Sequence, residues 1–333
     1  MPDGRFSEED DFAPTATLAA LRMRAELLKR LRQFFDRCGF LEVDTPVLSA
    51  ETVVDRHLDP LSLVLFDDPR RPEAGRTLWL QTSPEFAMKR LLAAGATAIY
   101  QVAHAFRGAE RGRWHNPEFT IVEWYRAGDD LDEGMARLSE LADEMLGLGP
   151  AERLSYREAF LRHVHVDPHG ASCEELEAAA RRRGLAIPSG LEPGDRDSWL
   201  EWLLVECVEP HLGKDRPTIL YDYPASQAAL AQVRDGDPPV AERFELYVAG
   251  IELANGYHEL CDPDVLIERS RIANDERAAD GKCRLPEPRR LVSAMRHGLP
   301  PSTGVALGFD RLVALAAGMT DIARVMAFPV ERA

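Results

Sequence analysis

Two glutamates beside a short turn have the spacing in this sequence that most directly suggests chemistry. In ERFELYVAGIELANG, residues 242–256, the pair Ala249-Gly250 predicts a two-residue turn between antiparallel strands. Glu245 then lies diagonal to Glu252 on one face of the sheet, at roughly 7–8 Å between Cα atoms, so both carboxylates could reach one cation. Magnesium suits such a pair because it combines a few carboxylates with phosphate oxygens. Exposed glutamates on a solvated strand are the alternative.

Glu259 extends this acidic stretch. It follows Glu252 by seven residues, and this odd offset would turn it to the opposite face of an uninterrupted strand. A β-bulge shifts the alternation by one residue, and Gly256 offers a place for it. We therefore expect a bulge at Gly256, with Glu259 on the same face as Glu252.

The stretch RGAERGRWHNPEFTIVEWY, residues 107–125, combines hydrogen-bond donors with an aromatic residue. Arg107 closes one predicted strand, and its planar guanidinium suits a phosphate better than a lysine would. Phe119, just inside the next strand, offers a ring on which a base could stack. An ordinary surface arginine at a strand end is the alternative interpretation.

The stretch GVALGFDRL, residues 304–312, predicts a strand that runs into a helix with Arg311 near its start. Gly304 and Gly308 would let the backbone approach a ligand closely. Neither GxxxxGK[ST] nor GxGxxG occurs in the chain, so the Walker and Rossmann motifs are excluded. A tight strand-to-helix junction without a ligand remains possible.

The surrounding sequence predicts the elements that would position these residues. Apolar residues at helical spacing predict a helix from Leu18 to Cys38 that ends at Gly39. TLWLQTSPEFAMKRLLAAG predicts a strand over 77–81, followed by a helix with Ser83 as N-cap and Pro84 as its first residue. Residues 98–106 and 117–126 predict an antiparallel pair of strands, and 129–235 a helix-rich insert.

Composition narrows the class of protein. The chain has 333 residues, 45% of them hydrophobic, and a formal charge of -16, which argues against binding nucleic acid through its phosphates. No window is apolar enough to span a membrane, and the start is acidic, so we expect a cytoplasmic protein. The five cysteines include no CxxC pair, which indicates neither a disulfide framework nor a zinc site.

Three stretches, in this order, resemble the motifs of class II aminoacyl-tRNA synthetases. FLEVDTP is similar to motif 1, FRGAERGRWHNPEFTIVEWY to motif 2 and GVALGFDRL to motif 3. TSPEFAMKRLL, HNPEFT and GIELANGYHEL resemble the lysyl subgroup, and the resemblance covers residues 18–333. It implies an α+β fold, an antiparallel sheet flanked by helices, and a homodimer that forms through motif 1, residues 21–48.

The resemblance also implies a role for each matching residue. Arg107 would hold the α-phosphate of ATP, Phe119 would stack on adenine, and Arg311 would cover the other face of adenine and reach the γ-phosphate. Arg107 and Arg311 are thereby the implied catalytic residues. The other residues implied to bind ATP are Glu110, Asn116, Glu252, Leu253 and Gly308.

The implied magnesium ligands are Glu245 and Glu252, in agreement with the turn geometry. The residues implied to recognise the amino acid are Ser83, Pro84, Glu85, Glu123, Tyr125, Asn255, Glu259 and Ala306. Buried carboxylates suit a diamine because an ammonium left unpaired in a pocket would cost several kcal/mol.

The synthetase-like core would begin at residue 18, after a mobile tail over 1–17, which leaves no room for the anticodon-reading OB-fold of lysyl-tRNA synthetases. SYREAFLRH and YDYPASQAALAQ resemble the paralogues that attach (R)-β-lysine to a lysine of translation elongation factor P. This resemblance implies ATP and magnesium as cofactors and elongation factor P as the partner, with no tRNA and no membrane.

Two positions depart from the resembled motifs. Ala109 stands where motif 2 usually has a glutamate, and Glu110 follows it. Ala306 stands where lysyl-tRNA synthetases have glycine. Alanine at this position resembles the synthetase paralogues that modify elongation factor P. Two other functions stay open: lysine activation for tRNA or another small acceptor, and a non-catalytic regulator that binds lysine or a nucleotide.

Overall fold

The computed structural model describes residues 12–333, which fall into two units. The first unit runs up to Gly128 and also takes in Cys261–Pro300 and Ala306–Ala333. The second unit consists of Asp129–Leu260 and Pro301–Val305.

Helices and strands are named here in chain order. Up to Gly128 they are α1 (Leu18–Arg37), β1 (Leu41–Glu42), β2 (Leu48–Ser49), β3 (Ser62–Phe66), β4 (Gly75–Leu80), α2 (Glu85–Ala93), β5 (Ala98–Phe106) and β6 (Glu118–Ala127). Between Asp129 and Leu260 they are α3 (Leu131–Leu146), β7 (Glu152–Ser155), α4 (Tyr156–His163), α5 (Cys173–Arg182), α6 (Arg196–Leu203), β8 (Thr218–Pro224), β9 (Val233–Arg234), β10 (Val240–Val248) and β11 (Ile251–His258). The last elements are α7 (Pro263–Ala279), α8 (Arg289–Gly298), β12 (Ser302–Gly308) and α9 (Phe309–Ala316).

Helix α1 confirms the prediction for this segment to within one residue. The Thr17 hydroxyl accepts a hydrogen bond from the N–H of Ala20 at 3.2 Å and caps the start. At the other end Gly39 has φ +76°, the left-handed conformation that commonly follows a helix. The buried side of α1 includes Phe35, whose ring centroid lies 4.4 Å from that of Tyr100 on β5. Aromatic stacking therefore fixes the helix against the sheet.

Helix α2 begins one position later than the sequence predicts. Pro84 occupies the N-cap position and makes no side-chain cap, so the prediction of Ser83 as N-cap is wrong by one residue. The Ser83 hydroxyl nevertheless accepts a hydrogen bond from the N–H of Glu85 at 3.0 Å. It thus satisfies a backbone donor that the proline cannot cap.

In the first unit, the strand order is β1, β5, β6 and the end of β12. Strands β5 and β6 pair antiparallel over their whole lengths, as predicted, and Ala98 lies opposite Arg126. Strand β1 pairs with β5 in parallel. The α+β class is confirmed, but the sheet is mixed and not purely antiparallel. The chain passes from β1 through β2, β3, β4 and α2 before it reaches β5, and this long connection allows a parallel pair.

A smaller sheet of the first unit has the order β2, β4, β3, with antiparallel pairs throughout. Strand β4 covers most of the predicted strand over 77–81.

In the second unit, the strand order is the start of β12, then β11, β10, β8 and β7, with β9 beside β10. Strands β7 and β8 pair in parallel, and β10 is antiparallel to both of its long neighbours. The predicted helix-rich block over 129–235 holds α3 to α6, but it also supplies β7, β8 and β9 to this sheet. The block is thus part of a unit that continues to Leu260.

Residues 1–11 of the predicted tail lie outside the part of the chain that the structure describes. Within 12–17, Ala13 and Ala16 are buried, and the N–H of Thr15 donates a hydrogen bond to the carbonyl of Ala327 at 2.9 Å. Over residues 12–333, no helix combines the length and the apolar character that crossing a membrane requires.

Candidate active site

The end of β5 brings together the arginine and the phenylalanine that the sequence assigns to ATP. The guanidinium carbon of Arg107 lies 5.0 Å from the centroid of the Phe119 ring, a cation–π contact. Glu110 lies 3.8 Å from the guanidinium. Among residues 12–333, the Nε of Arg107 finds no hydrogen-bond partner although it is buried. A buried donor without a partner is the arrangement expected of a group that awaits an anionic ligand.

Arg311 ties the start of α9 to the β5–β6 loop. Its Nε donates a hydrogen bond to the carbonyl of Trp114 at 3.2 Å, and another of its nitrogens lies 2.8 Å from the Nε2 of His115. Burial and the adjacent Arg311 charge lower the pKa of His115 below its ordinary value. A neutral imidazole can then accept a hydrogen bond from the guanidinium.

Asp310 is a positioning residue that the sequence interpretation missed. It is 3% exposed, accepts a hydrogen bond from Arg24 at 2.6 Å and accepts a second from the N–H of Thr120 at 2.7 Å. The carboxylate thereby fixes the start of α9 against β6. Asp310 immediately precedes Arg311, and its partner Thr120 immediately follows Phe119. A buried charge in GFDRL is a usable signal, although its partner Arg24 is 286 residues away.

The side chain of Asn116, which is predicted to contact the nucleotide, is held by hydrogen bonds within the protein. Its amide nitrogen donates to the carbonyl of Glu118 at 2.5 Å, and its amide oxygen accepts from the N–H of Val330 at 3.1 Å. The side chain is only 6% exposed. Asn116 therefore shapes the loop in this structure, and its contact with ATP stays a prediction.

Four predicted amino-acid-binding residues, Ser83, Glu85, Glu123 and Tyr125, lie near one another in the first unit. Glu123 is 1% exposed, and its Oε2 accepts a hydrogen bond from the Tyr125 hydroxyl at 3.1 Å. Its Oε1 is buried and has no hydrogen-bond partner among residues 12–333. Burial, followed by the nearby negative charge of Glu85, raises the pKa of Glu123 to about 8. An ammonium group placed at Oε1 would reverse this rise.

Lys89 belongs to the same cluster and was missed by the sequence interpretation. Its ammonium donates to Glu85 at 2.5 Å, and its side chain is almost fully buried. The residues stand four apart on α2, so the spacing was a usable signal for an ion pair. The ammonium of Lys89 gives the buried carboxylate of Glu85 a charge partner, which offsets part of the cost of burying that charge.

Three further positions of the first unit adjoin residues described above. Ala306 packs against the buried group of Ala103, Ala105 and Ile121, beside Phe119. Ala109, where the resembled motif has a glutamate, has a left-handed φ of +63°. Gly308 immediately precedes α9 and has an extended backbone. Whether Glu110 replaces the motif glutamate stays a prediction.

In the second unit, the β10–β11 hairpin has the predicted turn, with φ +54° at Ala249 and +81° at Gly250. Tyr247 lies opposite Glu252 as expected. The register then shifts by one residue, so that Glu245 faces Asn255 and Leu253 is the extra residue of a bulge.

The bulge is present, but the prediction that it lies at Gly256 is wrong. Gly256 sits opposite Phe244, and a Cβ at Gly256 would lie 2.4 Å from the Phe244 ring. Glycine is needed there for packing and not for the register shift. The extra residue at Leu253 leaves Glu252 and Asn255 on one face, and strand alternation places Glu259 on that face too.

Glu245, a predicted magnesium ligand, is already surrounded by hydrogen-bond donors of the protein. It is 4% exposed, its Oε2 accepts hydrogen bonds from the hydroxyls of Tyr223 at 2.6 Å and Tyr247 at 2.5 Å, and its Oε1 pairs with Arg243. Burial first, and then the Glu245 charge, raise the pKa of both phenols well above their ordinary value. The phenols therefore stay protonated and act as donors.

The fit of a magnesium ion depends mainly on Glu252. A carboxylate offers about four acceptor positions, and three donors already occupy Glu245. Glu252 is half-buried. Over residues 12–333, no group of three or more His, Cys, Asp or Glu side chains is arranged to hold a metal. Because magnesium uses one or two carboxylates plus phosphate oxygens and water, these two residues fit it, and the assignment stays a prediction.

Glu245→Gln should lower the free energy of unfolding by about 1–3 kcal/mol, because the buried guanidinium of Arg243 loses its charge partner. Chemical denaturation at neutral pH measures this change. Glu140→Gln, on the exposed side of α3, is the matched control and should leave stability within about 0.5 kcal/mol of the parent. Equal stability of the two variants would show that the Arg243 pair contributes nothing.

Comparison with known proteins gives consistent matches along the chain. Residues 11–332 match the family model for tRNA synthetases class II (D, K and N). Curated relatives named elongation factor P--(R)-beta-lysine ligase include those of Hamiltonella defensa, Yersinia enterocolitica and Salmonella typhi. Each is 46% identical over 328 residues, which is 98% of this chain and 100% of the relative.

Proposed function

Because this chain belongs to the class II tRNA synthetase family (D, K and N), we propose that it activates (R)-β-lysine with ATP and transfers it to a protein lysine. The acceptor we propose is the ε-amine of a lysine on translation elongation factor P, which places the reaction in the cytoplasm. The observation that carries the proposal is the 46% identity, over the full length of the relatives, with ligases named for this reaction.

In the first step, a carboxylate oxygen of (R)-β-lysine attacks the α-phosphorus of ATP. The bond to the bridging oxygen breaks, pyrophosphate leaves with the electron pair, and an acyl adenylate remains. Arg107 stabilises the negative charge that develops on the α-phosphate, and Arg311 binds the γ-phosphate. Phe119 positions the adenine by stacking. Magnesium, held by Glu252 with Glu245, would supply further charge neutralisation to the phosphates.

The amino acid is positioned by its ammonium groups. The free Oε1 of Glu123 supports an ammonium site, because a buried carboxylate oxygen without a donor is costly until a cation reaches it. Tyr125 and Ser83 would orient that carboxylate. Pro84, Glu85, Asn255, Glu259 and Ala306 complete the proposed set of recognition residues.

In the second step, the ε-amine of the acceptor lysine attacks the carbonyl carbon of the adenylate. An amide bond forms, the carbonyl–oxygen–phosphorus linkage opens at the carbon, and AMP leaves with the electron pair. The proton of the amine passes to solvent. Holding both reactants in one complex supplies much of the rate, because the reaction becomes effectively intramolecular.

The test combines two assays on the same protein. ATP–pyrophosphate exchange compared across α-lysine, (R)-β-lysine and (S)-β-lysine should be fastest with (R)-β-lysine. Incubation with ATP, (R)-β-lysine and elongation factor P should add one β-lysyl residue to the factor by intact mass. No mass change on the factor would overturn the proposal. Aminoacylated tRNA would instead favour the tRNA acceptor that the family model also allows.

A homodimer through residues 21–48 is part of the same proposal. Support comes from large apolar side chains that are exposed along this segment. They are Met23, Leu41, Val47 and Leu48. Large apolar side chains that stay exposed in one segment would be covered at an interface. Light scattering after size exclusion should give twice the 37.2 kDa chain mass, and a monomer would contradict this part.

A further inference from the structure

Arg277, near the end of α7, is a buried arginine that the proposed chemistry does not use. Its side chain is 4% exposed. It donates hydrogen bonds to the carbonyls of Asp55 at 3.0 Å, Leu58 at 2.9 Å and Cys283 at 3.1 Å. It also pairs with the carboxylate of Asp59 at 3.0 Å. Most of its donors are therefore aimed at one short segment, residues 55–59.

Lys282 binds the same segment from the same side. Its ammonium donates to the other oxygen of Asp59 at 3.1 Å and to the carbonyl of Arg56 at 3.0 Å. Its own N–H donates to the carbonyl of Arg277 at 2.8 Å, which fixes the two cations relative to each other. Two cations on one carboxylate hold its position more firmly than a single exposed ion pair would.

The segment needs this support because it has no regular structure of its own. Residues 51–60, between β2 and β3, contain neither helix nor strand. Within the segment, the Asp55 carboxylate accepts hydrogen bonds from the N–H groups of His57 and Leu58. The carbonyls of Asp55, Arg56 and Leu58 depend on the side chains of Arg277 and Lys282. Without Arg277, the carbonyls of Asp55 and Leu58 would both lose their donor.

The segment in turn contacts the backbone beside Arg107. The N–H of Gly108 donates a hydrogen bond to the carbonyl of Asp59 at 2.6 Å. A Cβ at Gly108 would lie 3.1 Å from that oxygen and 3.4 Å from a methyl of Leu61. The two backbones thus lie too close for a side chain at Gly108 without displacement, and Asp59 fixes the peptide that follows Arg107.

We propose that Arg277 is a positioning residue for Arg107, acting through Asp59 and Gly108. The proposal rests on the proposed function, in which Arg107 binds the α-phosphate. Arg277 fixes residues 55–59, and the carbonyl of Asp59 accepts the hydrogen bond from the N–H of Gly108. The backbone at Arg107 is thereby fixed, and its guanidinium is kept in position for the phosphate. A shift of about 1 Å at a catalytic group lowers rates by up to about a hundredfold, so a distant anchor can matter.

The test compares Arg277→Lys with Asp59→Asn in ATP–pyrophosphate exchange. Arg277→Lys keeps the charge but loses the fork that reaches several acceptors at once. Arg271→Lys, on the same helix, is the matched control, because Arg271 is 57% exposed and, within residues 12–333, pairs only with Glu268 and Asp275. Denaturant unfolding of each variant shows whether it is folded.

We expect Arg277→Lys to raise the KM for ATP and lower kcat by about tenfold each, with the KM for (R)-β-lysine unchanged within about twofold. Asp59→Asn should act in the same direction, and it keeps the test decisive if Arg277→Lys does not fold, because Asp59 is 35% exposed. The double variant should be no slower than the slower single variant, since both residues act through one contact.

Three results would overturn the proposal. These are Arg277→Lys kinetics equal to those of Arg271→Lys, equal changes in the KM values for both substrates, and a double variant whose loss is the product of the single losses. Failure of the proposed function is distinguishable, because the parent protein itself would then show no exchange with any lysine isomer.

Discussion

Arg107→Ala should lower kcat/KM for adenylate formation by about 10² to 10³-fold, because the charge that develops on the α-phosphate loses its guanidinium partner. Arg107→Lys should recover only part of this loss, since an ammonium cannot offer two parallel donors to a phosphate. Single-turnover formation of the adenylate, followed at saturating (R)-β-lysine, separates this chemical step from product release.

Arg126→Ala is the matched control for Arg107. Arg126 also lies over a phenylalanine ring, with its guanidinium carbon 5.7 Å from the centroid of Phe40, and it stands on β6 of the same unit. Loss of a general cation–π contact would affect both variants alike. A selective loss at Arg107 is the expected outcome, and full activity of Arg107→Ala would remove this residue from the mechanism.

Glu123→Gln should lower kcat/KM for (R)-β-lysine by about 10² to 10³-fold while leaving the free protein more stable at pH 8. Replacing a buried carboxylate that faces an ammonium removes about 3–5 kcal/mol of interaction, and 1.4 kcal/mol corresponds to a factor of ten. Pyrophosphate exchange as a function of (R)-β-lysine concentration measures the first effect. Denaturant unfolding without substrate measures the second.

The gain in stability follows from the raised pKa of Glu123. Its ordinary value is 4.5 and its folded value is about 8, so between these pH values the folded state binds a proton that the unfolded state has released. The free energy of unfolding therefore falls as pH rises from about 4.5 to 8. Gln carries no proton to lose, so the variant should lack this part of the pH dependence.

Substrate binding should show the opposite sign. An ammonium favours ionised Glu123, so binding below pH 8 releases a proton, and affinity rises as pH approaches about 8. Calorimetry in buffers of different ionisation enthalpy counts that proton. Glu118→Gln, an exposed carboxylate on the same strand, is the control and should leave both proton release and stability unchanged. Identical pH profiles for Glu123→Gln and the parent would contradict the role of Glu123.

The β10–β11 hairpin shows how far sequence reasoning reaches and where it stops. The Ala249-Gly250 turn fixes the pairs nearest to it, because two left-handed residues allow only one tight connection. The need for a bulge followed from the odd spacing of Glu252 and Glu259. The position of the bulge did not follow from the sequence. Gly256 is needed instead because the ring of Phe244, on the neighbouring strand, leaves no room for a side chain there.

Glu245 illustrates the same limit at the candidate site. Strand alternation predicts its face, but not that Tyr223, 22 residues earlier, would donate to it. That contact exists because β8 lies beside β10 in the second unit, and strand order is a property of the whole sheet. An exposed ligand and a buried ion pair have the same sequence pattern, and only the neighbouring strand distinguishes them.

The sequence by itself determined the α+β class, the helices α1 and α2, the strand pairs β5–β6 and β10–β11, the turn at Ala249-Gly250 and the proximity of Arg107, just after β5, to Phe119 on β6. These features depend on residues close in sequence, whose backbone preferences and side-chain periods act over a few positions. The tertiary structure alone decided which donors surround Glu245, that Lys89 and Asp310 are buried, and that Arg277 reaches residues 55–59. These contacts join residues up to 286 positions apart. They form only when packing removes water and leaves each buried charge to find a partner.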